Sequence, residues 1–124
     1  MSLSSVVVYA DLHCHSTFSD GVDRAADVAR KAALAGLKAV ALTDHDTTEG
    51  WGEFGDAARA HGVEPIPGIE VSTMHGREVH VLGLFIDPSD AAIRAYAASR
   101  REARAARIHR ICARLAVLGV RVDA

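Results

Sequence analysis

Four short apolar runs, each ending near ionisable residues and interleaved with helix-like segments, constrain this chain more than any other feature. Val6 to Leu12 reads as a buried strand, a β-branched run stopped by polar residues. Asp23 to Leu34 reads as a helix, with Asp23 as N-cap and Gly36 as the stop. Lys38 to Thr43 is a second short strand, and a second helix runs from about Glu49 to His61, stopped by Gly62. Within Val63 to Ser72, Pro65 and Pro67 limit regular pairing and point to an edge or a short strand. Met74 to Arg77 reads as a turn and Glu78 to Ile86 as a fourth strand. Pro88-Ser89-Asp90 then opens a helix that reaches at least Leu118, where Gly119 intervenes. The order β-α-β-α-β-β-α predicts an α/β domain with a largely parallel sheet and crossover helices.

In parallel α/β folds the chemistry collects at the carboxyl ends of the strands, and the ionisable residues here sit there. His13 and His15 end the first run, two apart in an extended segment, so both imidazoles leave one face. Two converging imidazoles make half of a metal site, although a solvated strand end has the same sequence. Cys14 then points the other way, into packing. Asp20-Gly21 follows a short turn that allows Asp20 to double back, as a ligand or as an ordinary turn aspartate. Asp44-His45-Asp46 leave the second strand together. His45 reads as a ligand, Asp44 as a partner that orients an imidazole, and Asp46 as a cap for the next helix. Glu70 lies between Ile69 and Val71, where a carboxylate needs a partner. Metal bridging or a pair with Arg77 would supply one. His80 is open to the same two kinds of reading, ligand or satisfied core histidine. His61 reads as a helix C-terminal histidine, His75 as a turn residue and His109 as part of a basic helix face.

Charge is unevenly spread. Residues 1–89 hold six Lys/Arg against thirteen Asp/Glu, while residues 90–124 hold eight Arg against three Asp/Glu. The acidic part can concentrate cations. The basic tail is either a solvated helix face or a surface that meets an anion such as phosphate. No apolar run approaches the roughly 20 residues of a membrane span. Met1 to Ser5 lack the charged and apolar regions of a secretory signal, and Cys14 and Cys112 do not suggest a disulfide framework. A cytoplasmic location without membrane contact is expected.

HCHSTFSDG, LTDHD, PGIE and EVHVLGL fall in the order and spacing of the PHP (polymerase and histidinol phosphatase) family, and the set is most similar to its TrpH-like branch of metal-dependent phosphoesterases. The resemblance is strong over about residues 7–90 and weaker over the helical tail. It implies the first half of a distorted (β/α)7 barrel, about four strands, plus an Arg-rich helical segment. Residues 1–89 would be the N-terminal part of the metal-binding domain, and 90–124 the start of an inserted helical region. It also implies up to three divalent cations, manganese, zinc or iron. Carried over, His13 and His15 would hold one ion, Glu70 would bridge it to a second bound by His80, and Asp20 and His45 would hold the third. Many relatives have a histidine where Asp20 stands, and an aspartate there suits the TrpH-like branch. Substrates would be phosphorylated small molecules such as nucleotides, or short nucleic acids. Water activated by the cations would be the nucleophile, so Cys14 is not needed for that role.

The family's barrel needs about twice this length, in line with the roughly 250 residues of barrels in general. The remaining ligands of the family, a histidine and a late Asp-x-His pair, belong to the second half. The expectations are therefore a fragment, a complementing C-terminal half from another chain, or a short relative. Open sheet edges associate, so a homo-oligomer or a poorly soluble monomer is expected. The alternatives to a phosphoesterase are a non-catalytic metal-binding or partner-docking module and a purely structural α/β fragment.

Overall fold

A computed structural model describes residues 9–122. Its elements are β1 (Ala10–Cys14), α1 (Ala25–Leu34), β2 (Ala39–Leu42), α2 (Trp51–Ala60), β3 (Glu64–Met74), β4 (Glu78–Leu84) and α3 (Ala91–Val117), in the order expected. Val6 to Val8 of the first expected strand lie outside the described residues. The sheet runs β1-β2-β3-β4, with β1, β2 and β3 parallel.

Four expectations need correction. β4 is antiparallel to β3, so the sheet is mixed rather than largely parallel. Only residues 75–77 join the two strands, and a parallel crossover needs a dozen or more residues. β3 is neither short nor an edge: it spans 11 residues between β2 and β4. Pro67 shows why the prolines are tolerated. Its carbonyl accepts from Ile86 N, so Pro65 and Pro67 turn their missing N–H groups toward the β4 side, below the last β4 pair at Gly68. β1 is an exposed edge strand, half-buried only at Cys14, where helix packing begins. Asp23 does not cap α1. Its carboxylate takes Lys31 Nζ at 2.6 and 2.8 Å, while Glu53 of α2 accepts Ala26 N in the first turn.

The core lies between the two crossover helices and β2. Ala25, Ala29 and Ala32 form one face of α1, and their small side chains let it approach Phe54 and Ala58 of α2 and Val40 and Leu42 of β2. Phe54 is fully buried, which contributes about 1.5–3 kcal/mol relative to exposure. Gly36 ends α1 as expected, at φ +78°, where a side chain would be strained.

α3 starts as expected: Asp90 Oδ1 accepts Ala92 N at 2.8 Å and Ile93 N at 3.1 Å. It ends at Val117, with Gly119 two residues on, and only Ala97 is buried. Among the described residues, no helix is long and apolar enough to cross a membrane.

Candidate metal centre

The carboxyl end of β1 sends His13 and His15 to one side, while Cys14 packs against the core as expected. Burial, with Asp11 nearby, pushes the Cys14 thiol up to about 12. The chain then turns back, and Gly21 N donates to Ser16 O at 2.9 Å. A Cβ on Gly21 would stand 2.4 Å from the His15 carbonyl oxygen, so the return is open only to glycine. It brings Asp20 to His15, with Oδ1 3.3 Å from Nδ1, and to His45, with Oδ2 3.5 Å from Nε2.

Past Leu42, where β2 ends, the chain runs on through Thr43-Asp44-His45 to a turn at Asp46. His45 pairs with Glu70 in an isolated parallel bridge, closed by Asp46 N to Glu70 O at 2.9 Å and Glu70 N to Asp44 O at 3.2 Å. Backbone register thus sets His45 beside Glu70, and the β3–β4 register sets His80 opposite Ser72.

The Glu70 carboxylate is buried at the meeting point. Its Oε2 lies 2.9 Å from His13 Nε2, 3.0 Å from His15 Nε2 and 3.6 Å from His45 Nδ1. Its Oε1 lies 3.2 Å from His80 Nδ1. Arg77 is not among its partners, so the alternative ion pair is not formed. Burial works to raise the Glu70 pKa. The His13 hydrogen bond and the charges of His45, His13 and His15 outweigh it and hold the carboxyl below its ordinary value.

All six expected ligand residues converge. They form three overlapping groups whose donor atoms lie within 4.8 Å of one another: His13/His15/Glu70, His15/Asp20/His45, and His45/Glu70/His80. His61, at the C-cap of α2, and His75 and His109 stay outside these groups, as expected. The donor set fits divalent cations. Four imidazoles sit in a row with centroids 5.1, 4.6 and 4.7 Å apart, and an imidazole offers a cation a lone pair on one ring nitrogen. His45 Nδ1 is buried with no hydrogen-bond partner, a cost of roughly 1–3 kcal/mol that a coordinated cation would remove.

Two neighbours behave differently from expectation. Asp44 touches no imidazole: it accepts from Ser16 N and Ser16 Oγ, both at 2.7 Å, and from Ser19 Oγ at 2.6 Å. Ser19 Oγ in turn lies 3.4 Å from His15 Nδ1, so Asp44 holds the loop and reaches the ring only through a serine. Asp46 does not cap α2, whose N-cap is Gly50. Its buried carboxylate accepts from Ser72 N at 2.8 Å, Tyr96 OH at 2.5 Å and Arg104 Nη2 at 2.7 Å. Burial opposes ionisation of Asp46, but the bonds from Tyr96 and Ser72 and the Arg100 charge hold its pKa below the ordinary value.

Sequence reasoning missed Ser16, Ser19, Tyr96 and the tie of Arg104 to Asp46. One signal was available, since Tyr96 is the only tyrosine in α3, which has no phenylalanine or tryptophan.

Comparison with known proteins places these features in context. The family described as PHP domain matches residues 11–113. A 3′,5′-nucleoside bisphosphate phosphatase of Chromobacterium violaceum is 41% identical over 111 residues, which cover 89% of this chain and 39% of the relative. A 5′-3′ exoribonuclease of Haemophilus influenzae is 39% identical over 111 residues, covering 89% and 40%. A solved structure from Bifidobacterium adolescentis, of a protein assigned as a metal-dependent phosphoesterase, superposes with a TM-score of 0.80 at 37% identity. That superposition covers 86% of this chain and 38% of the other. The chain thus spans about two fifths of the length of the curated relatives it matches.

Proposed function

The chain belongs to the PHP domain family, and on that premise we propose that it carries the metal-binding half-site of a phosphoesterase acting on nucleotides or short nucleic acids. The observation that carries this reading is the sharing of Glu70, His15 and His45 among three overlapping groups of candidate donors, which supports neighbouring cation positions. Imidazole nitrogen and carboxylate oxygen together suit manganese, zinc or iron, and up to three such ions are proposed. Bound divalent cations neutralise phosphoester charge and lower the pKa of a water they hold toward ~7.

The chain's own residues have distinct tasks in this proposal. His13 and His15 hold one ion, and Glu70 spans from it toward His80, one oxygen to each side. Asp20 and His45 hold a third. Asp44, through Ser16 and Ser19, fixes the loop that carries Asp20, and Asp46 ties His45 to β3. Preorganised charge of this kind acts by positioning and electrostatic stabilisation, and no serine or cysteine nucleophile is required. The names of the two curated relatives support nucleotides and nucleic acid as substrate class. A cytoplasmic setting, residues 1–89 as the metal-binding part and residues 90–124 as the start of an inserted helical region belong to the same proposal. So do a homo-oligomer or a complementing C-terminal half.

The test is phosphate release from nucleotide substrates by the manganese-loaded protein, with His13→Ala and Glu70→Ala as controls. Loss of release in both variants is expected, and folded, metal-loaded protein that hydrolyses no phosphoester would sink the proposal. A non-catalytic module that docks a partner is the second reading. Ile108, Ile111 and Leu118 of the α3 region stand exposed and favour it. Metal uptake without turnover, together with salt-sensitive partner binding lost on charge reversal of Arg100, Arg104 and Arg107, would support that reading instead.

A further inference from the structure

The loop that joins β1 to α1 is anchored from below by the buried carboxylate of Asp44. Ser16 N and Ser19 Oγ donate to its Oδ1 at 2.7 and 2.6 Å, and Ser16 Oγ donates to Oδ2 at 2.7 Å. A carboxylate gripped by three donors acts only as an acceptor, so the single proton of the Ser19 hydroxyl points at Asp44. Asp20 Oδ1 lies 3.5 Å from the same hydroxyl, too far to compete with a bond of 2.6 Å. What Ser19 has left is a lone pair. His15 Nδ1 stands 3.4 Å from it, at the long end of a hydrogen bond.

His15 belongs to two of the overlapping donor groups, and its two nitrogens face different members of them. Nε2 lies 3.0 Å from Glu70 Oε2, and Nδ1 lies 3.3 Å from Asp20 Oδ1. A neutral imidazole has one lone pair, so it ligates through one nitrogen while the other carries the proton. Ser19 decides which. An oxygen that can only accept favours N–H at Nδ1 and opposes a bare lone pair there. The proton then stays on Nδ1, and Nε2 is left for a cation beside Glu70. A partner on the nitrogen away from the metal fixes both the tautomer and the ring orientation of a ligating histidine.

We propose that Ser19, held by Asp44, is a positioning residue that commits His15 to the ion beside His13 and Glu70, with Nε2 as the ligating atom. The inference rests on the metal-centre reading and deepens it. The two groups that share His15 are not equivalent, and the Asp20–His45 position forms without that ring.

Long-range proton–nitrogen NMR of the imidazoles in the zinc-loaded full chain reads which nitrogen holds metal and which holds hydrogen. His15 is expected to carry zinc on Nε2 and hydrogen on Nδ1. Ser19→Ala is a local change, because Ser16 keeps two of the three bonds to Asp44 and still accepts Gly21 N. It is expected to weaken zinc binding about tenfold and to give mixed nitrogen signals for His15. Ser19→Thr, which keeps the hydroxyl, is expected to restore both. His13 Nε2 faces the same Glu70 oxygen at 2.9 Å, while Ser19 bonds to His15, so His13 is the internal reference. Its signals are expected to stay unchanged in Ser19→Ala at saturating zinc.

Zinc on His15 Nδ1, or Ser19→Ala with the parent's zinc affinity and His15 signals, would overturn the proposal and leave the metal centre standing. Equal disturbance of His13 and His15 would reduce Ser19 to loop support and overturn it as well. Zinc that shifts none of the four clustered histidines would remove the metal centre itself, and this inference with it.

Discussion

Residues 10–90 bury Phe54, Val40, Leu42 and a row of alanines, whereas the 27 residues of α3 bury Ala97 alone. The first region is acidic and is held by apolar packing between sheet and helices. The second is basic and is held to the first mainly by polar bonds that gather on Asp46 and Glu49. The difference separates two jobs. The packed layer fixes where the histidines and Glu70 stand, and the polar seam decides what lies over them. A helix attached by a few charged bonds can be reshaped without disturbing the ligand geometry beneath it.

The comparison breaks most sharply through the core. Phe54→Ala should cost about 3–5 kcal/mol in urea unfolding, because the cavity between α1, α2 and β2 cannot collapse onto alanines. Ile108→Ala on exposed α3 should stay within about 0.5 kcal/mol. Similar losses at the two sites would show that α3 is packed as tightly as the sheet. A smaller effect probes the seam. Tyr96→Phe removes the hydroxyl that donates to Asp46 and should cost about 1–2 kcal/mol. Amide exchange should then speed up in the first turns of α3 and stay unchanged in β2 and β3, whereas equal acceleration in both regions would contradict a separable seam.

The smallest effect compares the two free thiols. Cys14 packs against the core with its pKa pushed up to about 12, so iodoacetamide at pH 8 should label Cys112 of α3 well before it. Faster labelling of Cys14 would mean that the β1 end opens more readily than α3.

The convergence of the candidate residues was partly legible in the sequence because His13, His15 and His45 sit at or just past the carboxyl ends of short apolar runs, and strand periodicity fixes which face His13 and His15 share. The helix stops and the Asp90 cap were legible for the same local reason. The tertiary pairings were not. Asp46 and Tyr96 are 50 residues apart, and nothing in LTDHD distinguishes a carboxylate that caps a helix from one that receives a distant phenol. Pro65 and Pro67 looked disruptive because sequence does not show which side of a strand lacks a partner. The antiparallel β4 was implied by the short Met74 to Arg77 turn, but the alternation of elements pointed the other way. Asp23 lost its capping role to Glu53, a residue on another helix.

The central claim is that four of the seven histidines converge on Glu70 to hold divalent cations. Imidazole resonances followed by NMR during a zinc titration test it most directly. His13, His15, His45 and His80 should shift together and saturate at a fixed metal-to-chain ratio, while His61, His75 and His109 stay still, and Glu70→Ala should abolish the coupled response. Zinc that perturbs the three outlying histidines equally, or that binds Glu70→Ala as tightly as the parent chain, would contradict the account.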